Sequence, residues 1–326
     1  MAEENDSHIL VTGGAAFIGS NFIRRVLHSQ PEARITNLDK LTYAGNPDNV
    51  KDIANGRRYR FVQGDICDPD AVEAAFGDTD IDAVVHFAAE THVDRSIEHP
   101  SEFVRTNVLG THVLLEAALR HETGTFIHVS TDEVYGSIET GSFREENDLN
   151  PSSPYSASKA GSDLLVRSYF TTFGLPAIIT RCTNNFGPYQ FPEKLIPLFV
   201  TNLIEGRKVP LYGTGLNVRD WLFVADHCDA LQFLLGSGIA GEIYNISGGN
   251  EYTNIEIARF ILAELGYNEE MIAYVADRPG HDTRYSLDSS KLRRLGWKPA
   301  REFGEALRET IRWYRDNEWW WRALRK

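Results

Sequence analysis

Cysteine is scarce in this chain. There are three in 326 residues, Cys67, Cys182 and Cys228, far apart and with no C-x-x-C pair. That spacing excludes a disulfide framework and a cysteine zinc site. It fits a reducing compartment, with the thiols as small buried hydrophobes. Long apolar runs are also lacking; none approaches the roughly 20 residues of a membrane span. Basic charge is in deficit, with 33 Lys and Arg against 46 Asp and Glu, a net charge of -13. Bulk electrostatics therefore gives no help in holding nucleic acid or anionic lipid. A phosphorylated ligand requires a local cluster of Arg, Lys or backbone N–H groups. Repeats, low-complexity tracts and long linkers are missing. The opening Met1-Ala2-Glu3-Glu4-Asn5-Asp6 is acidic and polar, unlike a signal peptide. These absences lead us to expect a cytoplasmic protein without metal, nucleic-acid or membrane partners.

The rest is ordered in a recognisable way. At 326 residues the chain is long enough for one large domain or two moderate ones, and its hydrophobic fraction of 42% is ordinary for a globular protein. Short β-rich apolar runs occupy 8–12, 34–39, 59–65, 83–89, 126–131, 177–182 and 242–247. Most are continuous rather than alternating, as strands covered on both faces require. Helical spacing separates them: Ile18, Phe22, Val26 and Leu27 after the first run, and Phe103, Val104, Leu114, Leu115 and Ala118 after the fourth. Residues 156–173 read as a further helix closed by Gly174. The alternation predicts an α/β fold with a doubly wound parallel Rossmann sheet. After about Thr183 turns and prolines break the pattern, and a smaller substrate-binding part is expected. We expect 1–183 to form the dinucleotide domain, with 220–247 returning to it. Residues 184–219 and 248–326 then form the smaller domain. The aromatic tail, Trp313-Tyr314 and Trp319-Trp320-Trp321, reads as packing or interface rather than a ligand platform.

Gly13-Gly14-Ala15-Ala16-Phe17-Ile18-Gly19 follows the first strand and opens the first helix. Glycines there let the backbone turn tightly and let a pyrophosphate approach the helix N-terminus. Asp39 ends the second strand, 20 residues beyond Gly19. Its carboxylate suits ribose hydroxyls and repels a 2′-phosphate, which favours NAD over NADP. Asp65-Ile66 ends the third strand. Asp65 suits the adenine amino group about as well as it suits a plain strand-end turn. Ala88 and Ala89 leave room for a cofactor against the sheet. Asn107 reads as an amide that satisfies backbone groups.

Tyr155 and Lys159 stand one helical turn apart on the same face. A nearby ammonium and a cationic nicotinamide are expected to lower the phenol pKa, so that tyrosinate can deprotonate an alcohol as hydride leaves carbon. Thr131, Asp132 and Glu133 close the fifth strand, at the sheet edge where ligands of open α/β folds bind. Alcohol oxidation needs neither acid. Two adjacent carboxyls can have their pKa values pushed apart into one acid and one base, which suits moving a proton and a water.

With these residues the chain resembles the extended short-chain dehydrogenase/reductase family, and within it the group of dTDP-glucose 4,6-dehydratases. The carriers run over nearly the whole chain: His86–Ser96, Ser130–Gly136, Arg181–Gln190, Pro192–Pro197, Pro210–Gly213 and Arg278–Asp282. The resemblance implies bound NAD, a dTDP-glucose substrate and a homodimer. It implies oxidation at C4, elimination of water across C5 and C6, and hydride return to C6. Tyr155 would be the C4 base, Thr131 would bond the C4 oxygen, Glu133 would be the C5 base and Asp132 the C6 acid. Lys159 would hold the nicotinamide ribose. Phe17, Ile18, Asp39, Lys40, Leu41, Thr42, Asp65, Ile66, Ala88, Ala89, Thr106 and Asn185 would join Gly13 and Gly19 around NAD. Thr91, Asn184, Glu193, Lys194, Leu195, Pro210, Tyr212, Arg219, Asn254 and His281 would surround the substrate, with Arg219 and Asn184 on its diphosphate. The same chemistry on UDP-glucose, a sugar-nucleotide 4-epimerase, and a cofactor-binding regulator without activity are the rival readings. Two residues depart from the family pattern. Ala16 stands where glycine is usual, and Thr91 where serine is common. NAD is expected to bind despite the Ala16 methyl.

Overall fold

Valine, isoleucine and leucine fill the apolar runs, so the strands form where both faces can be covered. A computed structural model describes residues 7–77, 79–277 and 282–325. In chain order the first half comprises β1 (His8–Thr12), α1 (Phe17–Ser29), β2 (Arg34–Asp39), β3 (Tyr59–Gln63), α2 (Pro69–Phe76), β4 (Ala83–His86), α3 (Val93–Glu98), α4 (Pro100–Phe103), α5 (Thr111–Arg120), β5 (Thr125–Thr131) and α6 (Pro154–Phe173). There follow β6 (Ala177–Cys182), β7 (Asn184–Phe186), α7 (Leu195–Ile204), β8 (Val209–Tyr212), β9 (Val218–Phe223), α8 (Val224–Ser237) and β10 (Ile243–Ile246). The chain then forms β11 (Glu251–Thr253), α9 (Asn254–Glu264), β12 (Ile272–Val275), α10 (Ser290–Arg294), α11 (Phe303–Asp316) and α12 (Glu318–Leu324).

The large sheet has seven parallel strands in the order β10-β6-β5-β4-β1-β2-β3. This is the doubly wound Rossmann arrangement. The winding reverses between β1 and β4, and a crevice opens there at the carboxyl ends of the strands. Alternate side chains serve opposite layers. Leu10, Val84 and Phe126 pack with Val72, Leu114, Leu115 and Val166 of α2, α5 and α6. Ile9, Val11, Val85 and Ile127 belong to the other cluster, with Phe22 and Val26 of α1 and Leu231 and Leu234 of α8.

Three smaller strands form a second sheet in the order β11-β9-β7, and β8 pairs in parallel with β12. β9 therefore belongs to the small sheet. The chain returns to the large layer with α8 and then β10, slightly later than the sequence suggests.

The aromatic tail packs inward. Trp320 and Trp321 are buried, and Trp320 meets Tyr189, Trp313 and Tyr314. The Trp320 indole N–H donates to Asn49 Oδ1 at 2.7 Å, and Asn49 Nδ2 donates to the Ala15 carbonyl at 2.8 Å. Only Trp319 of the triplet is exposed.

Candidate active site

The glycine-rich turn is held from below by β2. Gly14 N–H donates to Asn37 Oδ1 at 3.0 Å, and Ala15 N–H to Asp39 Oδ2 at 2.9 Å. Gly13 has φ +72°, and a Cβ there would stand 2.8 Å from the Ala88 nitrogen. At Gly19 a Cβ would stand 2.4 Å from the Gly13 carbonyl oxygen. Gly13 needs glycine by strain and by space, and Gly19 by space. Helix α1 begins without a side-chain cap. Its first N–H groups are thus left for an anion, as at dinucleotide sites. Ala16 is its N-cap with φ -90° and ψ -176°. This is extended backbone that any residue adopts, so the alanine carries no backbone strain.

A cavity of about 310 Å³ runs along the carboxyl edge, the scale of a small-molecule site. It brings together Gly13, Phe17, Ile18, Gly19, Asp39, Lys40, Thr42, Asp65, Ile66, Ala88, Ala89, Thr106 and Asn185 of the expected cofactor residues. Leu41 does not line it, but its backbone N–H, at φ 57°, donates to Asp39 Oδ1 at 2.8 Å. Lys40 Nζ pairs with Asp65 Oδ2 at 2.8 Å, while Asp65 Oδ1 accepts from Cys67 N–H at 2.9 Å. Thr91, Asn184, Glu193 and Lys194 line the same cavity. Leu195, Pro210, Tyr212, Arg219 and Asn254 are not on its wall. Buried Arg219 donates to the carbonyls of Val218 and Asp282, with its guanidinium 4.3 Å from the Tyr285 ring centroid. His281 lies outside the described residues.

Tyr43, Glu90 and Gln190 also line the cavity, beyond the expected set. Glu90 and Gln190 lie inside family segments, which is signal enough to flag them. Tyr43 comes three residues after Lys40, past the last motif residue, and has none. Asn107 braces the strand-end loop at Glu90. It accepts from Glu90 N–H at 2.8 Å and donates to the Glu90 carbonyl at 3.0 Å and to Ser158 Oγ at 2.8 Å. It stands in a π-helical stretch, Val104–Gly110.

The reactive group is assembled from two elements. β5 delivers Thr131, and a 3-10 turn, Asp132–Tyr135, follows at once. A capping box of Ser153 and Ser156, with Pro154 in the first turn, starts α6 and places Tyr155 and Lys159. All five side chains line the cavity. Thr131 Oγ donates to Asp132 Oδ1 at 3.2 Å and accepts from Glu133 N–H at 3.2 Å. Asp132 Oδ2 has no hydrogen-bond partner. Burial, and then the neighbouring Glu133, push the Asp132 carboxyl well above the usual carboxylate range, against the pull of Arg219. Asp132 is therefore poised as a proton donor.

Of the two groups expected to lower the Tyr155 pKa, the lysine does not act on it here. Burial, and then Glu133, raise the Tyr155 phenol well above its ordinary value, while a hydrogen bond with Thr131 opposes. Lys159 is not what governs it. The ammonium is turned aside, donating to the Val129 carbonyl at 2.8 Å. Burial pushes Lys159 itself down to about 8, with Asp163 opposing. Desolvation thus sets the direction, and without a neighbouring cation the phenol holds its proton.

The geometry has known counterparts. The GDP-mannose 4,6 dehydratase family pattern matches residues 10–310. A dTDP-glucose 4,6-dehydratase from Streptomyces niveus is 55% identical over 322 residues, 97% of this chain and 95% of its own. DesIV, a dTDP-glucose 4,6-dehydratase from Streptomyces venezuelae solved with NAD bound, superposes with a TM-score of 0.95 at 52% identity. That match covers 98% of this chain and 100% of the other. The NAD complex of UDP-glucose 4-epimerase from Thermus thermophilus gives a TM-score of 0.88 at 30% identity, over 95% of this chain and 99% of its own. An uncapped helix behind a glycine turn, a tyrosine-lysine pair and an added acid pair thus occur together in a chain that belongs to the 4,6-dehydratases of the extended short-chain dehydrogenase/reductase family.

Proposed function

We propose that the protein is an NAD-dependent dTDP-glucose 4,6-dehydratase, a lyase that converts dTDP-glucose to dTDP-4-keto-6-deoxyglucose and water. One observation carries the reading. Asp132 and Glu133 open onto the same cavity as Tyr155 and Lys159, which gives an oxidising pair and an eliminating pair around one ligand. NAD, held by the glycine turn, Asp39 and Lys159, would supply a hydride acceptor for C4, a hydride donor for C6 and a cationic ring that favours release of the Tyr155 proton. Tyr155 takes the C4 hydroxyl proton while Thr131 bonds the C4 oxygen. The resulting ketone acidifies C5–H, and Glu133 removes that proton. The C6–O bond breaks, Asp132 protonates the departing hydroxyl, and water leaves. C5 regains a proton as hydride arrives at C6. Lys159 holds the nicotinamide ribose. Asp39, buried and fixed by two backbone N–H groups, faces the adenosine ribose. Asn184 and Arg219 serve the diphosphate, and residues 184–219 and 248–326 supply the substrate side.

The test is incubation with dTDP-glucose and UDP-glucose in D2O, read by mass and NMR. A 4-keto-6-deoxy product carrying deuterium at C5, formed faster from dTDP-glucose, is expected. An inverted C4 at unchanged mass would instead mean an epimerase, and faster turnover of UDP-glucose would transfer the assignment to that substrate.

The working unit is a homodimer in the cytoplasm. The π-helical stretch and α6 expose Val104, Leu109 and Leu164, at 55%, 44% and 58%. These apolar side chains lie on the helices best placed to pair with their copies in a four-helix bundle. Sizing in solution should give twice the chain mass, and Val104→Glu with Leu164→Glu should give the monomer. Among the described residues, no helix is long and apolar enough to cross a membrane.

A further inference from the structure

Behind the reactive wall lies a row of buried polar side chains that takes no part in the steps above. Tyr135 is the last residue of the turn that carries Asp132 and Glu133. Its hydroxyl accepts from Arg181 Nη1 at 2.7 Å and donates to Asn245 Oδ1 at 3.0 Å. Arg181, on β6, donates from Nε to Asp163 Oδ2 at 2.9 Å. Asp163 lies on α6, one turn beyond Lys159. Tyr135, Arg181 and Asp163 are 1%, 3% and 1% exposed. A continuous buried line therefore runs from the helix bearing the oxidising pair, across β6, to the turn bearing the eliminating pair, and on to β10.

The line is restrained throughout. The Tyr135 ring stacks on Phe143 at 5.0 Å and 11°. The Arg181 guanidinium lies 4.7 Å from the Tyr135 ring centroid. His128 also faces Asp163, at 3.4 Å, but burial pushes its ring down to about 4. At neutral pH the imidazole is uncharged, so Arg181 is the charged group that hydrogen-bonds Asp163. A buried ion pair of this kind adds little net stability over an apolar filling, but it fixes geometry tightly.

The two halves of the reaction make different demands on that geometry. Oxidation at C4 needs Tyr155, Lys159 and Thr131. Elimination also needs Asp132 and Glu133 to reach C6 and C5 of the same sugar. A misplacement of about 1 Å costs on the order of 100-fold in rate. We infer that Tyr135 and Arg181 are positioning residues, which lock the Asp132–Glu133 turn to α6 so that elimination follows oxidation on one bound sugar. The inference rests on the proposed roles of Asp132 and Glu133.

Tyr135→Phe removes only the hydroxyl and keeps the ring stack. In single turnover with dTDP-glucose in D2O, C4 oxidation is read from the absorbance of the reduced cofactor, and elimination from C5 deuterium and loss of water. Oxidation should stay within about twofold of the parent while elimination slows about tenfold or more. Arg181→Lys keeps a charge opposite Asp163 but lacks the planar fork that reaches both Asp163 and Tyr135; it should show the same split. Equal slowing of both steps, or a lowered melting temperature with no kinetic split, would overturn the inference and leave these residues as plain structural braces. Asp132→Asn with Glu133→Gln is the control on the underlying reading. If that double variant still loses water, the assigned roles fail. If it stops and Tyr135→Phe does not split the steps, only the positioning inference fails.

Discussion

Replacing Ala16 by glycine should change NAD affinity by less than tenfold. The methyl occupies the middle position of the glycine pattern, where backbone closest to a pyrophosphate is expected. It brings no backbone strain, because Ala16 is extended at φ -90°, so glycine has none to relieve. The turn is tied independently of the side chain: Ala16 N–H donates to the Gly13 carbonyl at 3.2 Å, and the Ala16 carbonyl accepts from Ser20 N–H at 3.0 Å. What remains is one methyl on the cavity wall. Its loss forfeits at most about 0.8 kcal/mol of apolar contact and relieves whatever crowding the pyrophosphate meets. The apolar term alone stays below the roughly 1.4 kcal/mol that a factor of ten requires, and crowding would have to exceed about 2 kcal/mol to carry the net change past it. Stability should move little as well. Glycine at an N-cap is better than alanine by about 1 kcal/mol, and the extra freedom of the unfolded glycine chain cancels about 0.4–1 kcal/mol of that. Calorimetric titration of both proteins with NAD, in a protein first stripped of cofactor, measures the difference. A gain of about 100-fold, near 2.7 kcal/mol, would refute the reasoning and show that the methyl holds the pyrophosphate off the helix.

Two further outcomes follow from the same geometry. Burial holds the Lys159 ammonium at about 8, below its ordinary 10.5. Between those values the folded protein has shed a proton that the unfolded chain keeps, so stability rises with pH across that window. Below it the folded state bears the full cost of the buried charge, roughly 3 kcal/mol. In Lys159→Met, denaturant unfolding should therefore show the variant gaining most on the parent below pH 8, with the gap closing towards pH 10.5; a gap independent of pH would refute the assignment. Trp320→Phe keeps an aromatic ring but orphans Asn49 Oδ1, and should lower the unfolding free energy by about 1–3 kcal/mol. The change should appear as a lower urea midpoint at unchanged slope.

Much of this is legible in the chain itself. Continuous Val, Ile and Leu runs mark strands covered twice; the glycine turn, Asp39 and Thr131–Glu133 fall on one cavity because parallel strands bring their carboxyl ends to one edge, and Tyr155 and Lys159 join them from the first turns of α6. The π-helical stretch around Asn107 is not legible. Its apolar spacing satisfies an ordinary helix, and the partners of Asn107, Glu90 and Ser158, are distant in sequence. The upward shift of Tyr155 is not legible either, because the motif shows a neighbouring lysine but neither the burial nor the turn of that lysine towards Val129. The placement of β9 escapes the sequence for a similar reason. Its partners β7 and β11 are three residues each, too short to show a period.

The hydrogen-bonded relay from Trp320 through Asn49 to the Ala15 carbonyl has a consequence in time. Trp320 and Asn49 are 271 residues apart, and at about 5–20 residues per second of synthesis roughly 15–55 s separate their emergence. For that interval the nascent glycine turn keeps its ties to Asn37, Asp39 and Asn49 but lacks the indole that orients the Asn49 amide. A chain ending before the aromatic helix should therefore exchange the amides of this turn faster than the full chain, which hydrogen exchange measures.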